Sequence, residues 1–328
     1  MTPASLLAAR RCDRLVREGS ARYLRLDIVG AEPLLWAALA EAERSGRPRA
    51  IARSAQSLYY LLRREGRHGE SVAALERTVD AHRRLDGADG RWTAEWRDEL
   101  IGLYGRLGRG VELVALCRER LESDVRRHRR RSVEVAWALL TLAWALRVAR
   151  QWEESEGRCR EALALLEDLL GCDHPRTGWA LTRLALAREH AGDVPGAETA
   201  LHQARANWAG AGHGDRVAAV DELLVDLYMR HQRLGEALAL SASLLAARGC
   251  PNDERRLCRL ERRAALLRAL GREDEAAASE AQARELRCAT ERRGHERERL
   301  GEGAPETPAA TSCGEIRLTG PIFASPLL

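Results

Sequence analysis

Leucines, alanines and valines recur along this chain in amphipathic stretches of helical period, and short turns interrupt those stretches at regular intervals. The turns centre on Gly66, Gly108, Arg150, Gly192, Gln232 and Gly271, at successive intervals of 42, 42, 42, 40 and 39 residues. Each turn lies between two amphipathic stretches, so the pattern predicts an array of helical hairpins. One such hairpin cannot bury its apolar faces alone, and the units must stack on one another. A stack of that kind offers a surface for recognition before it offers anything else.

Aligning the units on their turn residues exposes the packing pattern. Eight positions before the turn stand Leu58, Leu100, Leu142, Leu184, Leu224 and Arg263; seven before it stand Tyr59, Ile101, Ala143, Ala185, Val225 and Ala264. Five positions after the turn come Ser71, Leu113, Ser155, Ala197, Ala237 and Ala276. A leucine ridge on one helix therefore faces mostly small residues on the other, which lets two helix axes approach to about 8–10 Å. Ahead of the array, helical stretches from Pro3 to Glu18 and from Glu32 to Arg44, separated around Gly19 and closed by Gly46, predict a degenerate hairpin acting as a cap over residues 1–46. The array proper is expected over 47–293. From about Gly294 the periodicity is lost, and a segment rich in glycine, proline and threonine predicts a disordered tail over 294–328.

Composition narrows the chemistry. The apolar fraction is 45% with only 4% aromatic residues, as suits closely packed leucine- and alanine-rich helices. All 53 basic residues are arginine, which fits a GC-rich bacterial genome and removes the lysine that a phosphate loop, a Schiff-base enzyme or a kinase would need. Eight cysteines, Cys12, Cys117, Cys159, Cys172, Cys250, Cys258, Cys288 and Cys313, form no C-x-x-C pair, so the expected setting is a reducing cytoplasm. Neither a signal sequence nor an apolar run long enough to span a bilayer is read from the sequence. No cofactor, metal site or catalytic motif is expected. Cys117 and Cys159, each nine residues past its turn, are expected as small hydrophobes in equivalent core slots.

These residues resemble the tetratricopeptide repeat family, and the 42-residue interval is similar to its kinesin-light-chain-like subtype. The unit that carries the likeness best reads Leu170-Gly171-Cys172-Asp173-His174-Pro175, then Trp179 to His190, then Ala191-Gly192-Asp193 and Ala197-Glu198. There Asp173 is expected to cap the following helix and Pro175 to open it. Arg188 stands where the family has an aromatic residue and Arg120 where it has a small one. The subtype's asparagine is missing from every unit, its place taken by Ser57, Glu99, Thr141, Arg183, Leu223 and Arg262.

The resemblance implies an all-α, right-handed α-solenoid of about six hairpins whose first helices line a concave groove. In that geometry the inner positions of the first unit are Arg53, Gln56, Tyr60 and Arg63, and those of the second include Glu95 and Asp98. The middle of the array would present Trp137, Leu140, Trp144, Arg147, Trp179, Arg183 and Leu186. With Tyr60 and Arg63 these make an aromatic and aliphatic stripe edged by arginines, the kind of surface that anchors a peptide. The expected function is thus a protein- or peptide-binding scaffold, an adaptor or regulatory sensor. A different reading takes the run Arg126-Arg127-His128-Arg129-Arg130-Arg131, placed in a linker, as a contact for nucleic acid; a third is an unrecognised enzyme. The terminal Phe323-Ala324-Ser325-Pro326-Leu327-Leu328 is the apolar part of the tail and is expected to be able to return to the groove of its own chain.

Overall fold

A computed structural model describes residues 3–246 and 253–299, with side chains up to Arg293. The terminal apolar segment lies outside the described residues. Among the described residues there are fourteen α-helices and no strand: α1 Pro3–Leu24, α2 Ile28–Ser45, α3 Pro48–Arg64, α4 His68–Asp86, α5 Arg91–Leu107, α6 Gly110–Arg127, α7 Val133–Val148, α8 Trp152–Leu170, α9 Pro175–His190, α10 Val194–Gly210, α11 Gly214–Arg230, α12 Leu234–Ala246, α13 Asp253–Ala269 and α14 Glu273–Arg299. They pair in sequence as seven hairpins. The chain divides into two compact units, one ending at Ala211 and the other beginning at Gly212.

Every turn expected from the sequence is a left-handed residue between two helices: φ is 70° at Gly66, 67° at Gly108, 60° at Arg150, 90° at Gly192, 61° at Gln232 and 72° at Gly271. The amide after each one returns to a carbonyl five residues back, as in Arg67 N–H to Leu62 O at 3.0 Å and Gln151 N–H to Leu146 O at 2.8 Å, which satisfies carbonyls that the helix end leaves open. Except at Gln151, which makes no side-chain cap bond, the residue after the turn then starts the next helix in one of two ways. Asp27 and Asp193 accept from the amides of Gly30 and Gly196. Arg67, Arg109, Arg233 and Arg272 instead reach Glu70, Glu112, Glu236 and Glu275 in the first turn of the helix, where the helix dipole favours a carboxylate.

The N-terminal cap is a full hairpin, and its turn is not at Gly19. Gly19 lies inside α1, where a Cβ would stand 2.8 Å from Cδ2 of Leu35, so the missing side chain allows α1 and α2 to approach. The chain reverses at Leu26, with φ 65°, 40 residues ahead of Gly66 and so in step with the other turns. At the far end, α14 carries helix to Arg299, past the point where the tail was expected to begin.

The core of the first unit follows the expected ridge and groove. Leu58, Leu100, Leu142 and Leu184 are buried, as are Ser71, Leu113, Ser155 and Ala197 opposite them. One large apolar cluster runs from α2 to α7, and Cys117 belongs to it; a second joins α7, α8 and α9 around Cys159. α9 opens on Pro175 as expected, but its cap is His174, whose Nδ1 accepts from the Arg176 amide at 3.1 Å, and not Asp173. In the second unit, Arg259 on α13 is buried against Glu222 of α11 at 2.7 Å, and Arg262 meets Asp226 at 3.2 Å. Two carboxylates of α11 are therefore engaged by α13.

Candidate functional site

Between α3 and α5 lies a cleft of about 190 Å³ lined by Tyr59, Tyr60 and Arg63 from α3 and by Glu95, Trp96 and Glu99 from α5. Helical spacing sets the lining: Tyr60 and Arg63 are one turn apart on α3, and Glu95 and Glu99 are one turn apart on α5. Tyr59 is buried, and its hydroxyl donates to Glu99 Oε1, which also accepts from Arg63 Nη1 at 3.0 Å. Burial and the Glu99 carboxylate together push the Tyr59 phenol far above its ordinary range, so it remains a donor.

The aromatic walls form one connected group. The Tyr60 ring centroid is 5.5 Å from that of Tyr59 and 5.9 Å from that of Trp96, and Tyr59 meets Trp96 edge-on at 6.1 Å. These are separations at which aromatic pairs attract. His82 of α4 also lies against Trp96, nearly parallel to the indole, 14° off plane, and its Nε2 is 2.7 Å from Gln56 Nε2. Burial pushes the His82 imidazole down while Asp86 and Glu95 pull it up. Tyr60 keeps 48% of its surface, which is high for a tyrosine inside an aromatic cluster. Trp92, one turn before Trp96, is also exposed, under the guanidinium of Arg91 at 5.5 Å.

The inner positions read from the sequence place Tyr60, Arg63 and Glu95 in this cleft and miss Trp96, which lies one residue beyond Glu95. The signal that would have found it is the i,i+4 tryptophan pair Trp92 and Trp96 at the start of α5. Asp98, another inner position, turns instead to Arg120 of α6 at 3.1 Å. That pairing accounts for arginine at a position the family keeps small, since Arg120 also meets Asp124 at 3.5 Å.

Further along the unit the expected stripe is more enclosed. Leu140 is only 4% exposed, inside the cluster of α7, α8 and α9, and is a core residue and not a surface contact. Trp137 packs partly buried against the same cluster, and Trp144 packs against the neighbouring one. Trp179 meets Trp208 of α10 edge-on at 6.1 Å, with the Arg183 guanidinium over its ring at 6.0 Å. Burial and the nearby charge of Arg147 push Arg183 down to about 10. Leu186 is half-buried. The middle of the array thus brings Arg147, Trp179 and Arg183 together, with the tryptophans partly buried against their neighbours.

The arginine run is not a free linker. α6 extends through Arg127. Arg126 grips Asp89 with two bonds of 2.8 and 2.9 Å, and Arg131 pairs with Asp168. Both guanidinium groups therefore tie successive hairpins together, which removes charge from the patch that a phosphate backbone would need.

Comparison with known proteins agrees with the repeat. Residues 134–209, which hold α7 to α10, match the tetratricopeptide repeat family model. No curated protein matches the chain. Among solved structures, the BtubC (BKLC) protein of P. vanneervenii is similar over 75% of this chain and 96% of its own, at 18% identity and a TM-score of 0.56. A putative kinesin light chain of Podospora anserina, with nearly identical tetratricopeptide-like repeats, is similar over 60% of this chain and 95% of its own, at 24% identity and a TM-score of 0.53. A tetratricopeptide repeat protein from Parabacteroides merdae covers 84% of this chain and 93% of its own, at 14% identity and a TM-score of 0.52. These likenesses concern the fold. Among the described residues, no helix is long and apolar enough to cross a membrane.

Proposed function

We propose that this chain, a tetratricopeptide repeat protein, is a scaffold that binds a peptide or protein segment along the first helices of its hairpins, as an adaptor or regulatory sensor. The α3/α5 cleft is its anchoring point, and the segment continues past Trp144, Arg147, Trp179, Arg183 and Leu186. The observation that carries this reading is Tyr60, left half-exposed in a cluster where Tyr59 is fully buried. A rigid ring with a polar tip, already fixed by its neighbours, loses little conformational freedom when a ligand covers it. Carboxylates and a guanidinium around the same cleft supply direction, as polar groups do at the edge of a binding pocket.

A displayed random-peptide library panned on the full chain tests the reading. Selected peptides should lose about tenfold or more in affinity for Tyr60→Ala, as truncation of an anchor does, while the melting temperature stays within about a degree because Tyr60 contributes little to the core. Peptides that bind wild type and Tyr60→Ala equally would place recognition elsewhere.

A further inference from the structure

We infer that the α3/α5 cleft takes the guanidinium of an arginine in the bound segment. The inference rests on the peptide-binding reading of the same site and adds the chemistry of the side chain that enters it. Its basis is the juxtaposition of two aromatic faces with two carboxylates, each of which engages its internal partners through one oxygen and leaves the other open.

Glu99 accepts both Tyr59 and Arg63 on Oε1, and Glu95 accepts Arg91 on Oε1 at 3.0 Å. The second oxygen of each carboxylate has no hydrogen-bond partner among the described residues. Arg63 is the single cation among the lining residues, against two carboxylates, and it is already paired with Glu99. The lining thus carries two carboxylates to one guanidinium, with Arg91, outside the lining, paired to Glu95 through one oxygen, and its walls are the rings of Tyr60 and Trp96. A cation over such rings is attracted by their quadrupoles, the more so for a planar guanidinium that can stack on one ring and direct its N–H donors at carboxylate oxygens in its own plane. An ammonium carries the charge without the plane, and a carboxylate would meet two like charges. The cleft, at about 190 Å³, is sized for one side chain and not for a bulky cofactor.

The test uses the full chain with nitrogen-15 in its tryptophans, the Trp96 indole N–H being identified by its loss in Trp96→Phe. N-acetyl-arginine amide should shift the Trp96 signal saturably. N-acetyl-citrulline amide, alike in shape but uncharged, should bind about tenfold more weakly, and N-acetyl-lysine amide should fall between them. Glu95→Gln should weaken the arginine probe severalfold without lowering the melting temperature, since Glu95 is exposed and its ion pair is with Arg91 on its own helix. Equal binding of arginine and citrulline probes, no shift of Trp96, or a response unchanged in Glu95→Gln would overturn the assignment. Selected peptides that need Tyr60 but no basic residue would overturn it too, while leaving the peptide-binding reading in place. An arginine probe seated at Trp96 with no peptide ever selected would do the reverse.

Discussion

The indole of Trp144 on α7 occupies the space that a side chain at position 105 of α5 would need: a Cβ on Gly105 would lie 2.0 Å from Cη2 of Trp144. Gly105 sits inside a helix, where glycine ordinarily costs about 1 kcal/mol relative to alanine, so its presence is explained by the ring beside it. Gly105→Ala should destabilise the first unit by about 1–3 kcal/mol through overpacking. In a Trp144→Leu background the same change should be neutral or stabilising, because the clash is gone and the propensity gain remains. Chemical denaturation of the two singles and the double checks the coupling; additive effects would mean that the indole moves aside freely.

A second expectation concerns the turns that lack glycine. Arg150 adopts φ 60° in a position held by glycine in four of the six aligned turns. A left-handed residue with a Cβ is strained by about 1–2 kcal/mol, part of which glycine recovers after its own entropy loss. Arg150→Gly should therefore raise stability by about 0.5–1 kcal/mol, and Gly66→Ala should lower it by a similar amount. Thermal melts of both variants decide the matter; the opposite signs would contradict the role given to the turn residue.

Cys117 and Cys159 test the packing of the two apolar clusters. Burial pushes both thiols up to about 12, whereas an unfolded cysteine ionises near about 8.5. Because the folded value is the raised one, the stability linked to these thiols is complete below about pH 8.5 and is lost as pH climbs toward about 12. Alkylation at about pH 8 followed by peptide mass mapping should mark the exposed Cys172 and Cys288 and spare Cys117 and Cys159 until the protein is unfolded. The melting temperature should also fall less steeply above about pH 9 in Cys117→Ala/Cys159→Ala than in wild type.

Arg97 gives a prediction of unusual sign. It is fully buried on α5, burial holds its guanidinium below the ordinary range, and Nε and Nη1 find no hydrogen-bond acceptor among the described residues. Its nearest carboxylate, Glu119 at 3.9 Å, is already gripped by both oxygens from Arg83 at 2.8 Å. Replacing a buried charge by an apolar side chain of similar length is often neutral or stabilising when its partner is not left alone. Arg97→Met should thus change stability by no more than about 1 kcal/mol or increase it, as read from denaturant midpoints. A loss above about 2 kcal/mol would give Arg97 a structural role that its contacts do not account for.

The helical hairpins were legible because one backbone device repeats. A left-handed residue between two amphipathic stretches fixes each reversal, so turn spacing alone located six of the seven hairpins and the buried ridge of Leu58, Leu100, Leu142 and Leu184. The first hairpin was misread because Gly19 serves close helix contact and Leu26 does the turning, and composition cannot separate those uses of a glycine. The face of the first helices was legible only in part. Phase relative to the turn says which way a residue points, and it found Tyr60, Arg63 and Glu95; it does not say how closely the next helix covers that direction. Leu140 holds an inner phase yet is enclosed by α8 and α9, and Trp96 enters the cleft from one position off the phase. Ion pairs between helices, such as Arg126 with Asp89 and Asp98 with Arg120, join residues tens of positions apart and leave no local mark in the sequence.

The most direct measurement of the central claim is a map of where a bound segment lies. A peptide selected on the full chain, carrying a benzophenone group and irradiated in complex, should crosslink to α3 and α5, with adducts at or beside Tyr60 and Trp96 and further ones along α7. Adducts confined to second helices such as α4 and α6, or to α11–α14, would contradict recognition along the first helices anchored at the α3/α5 cleft.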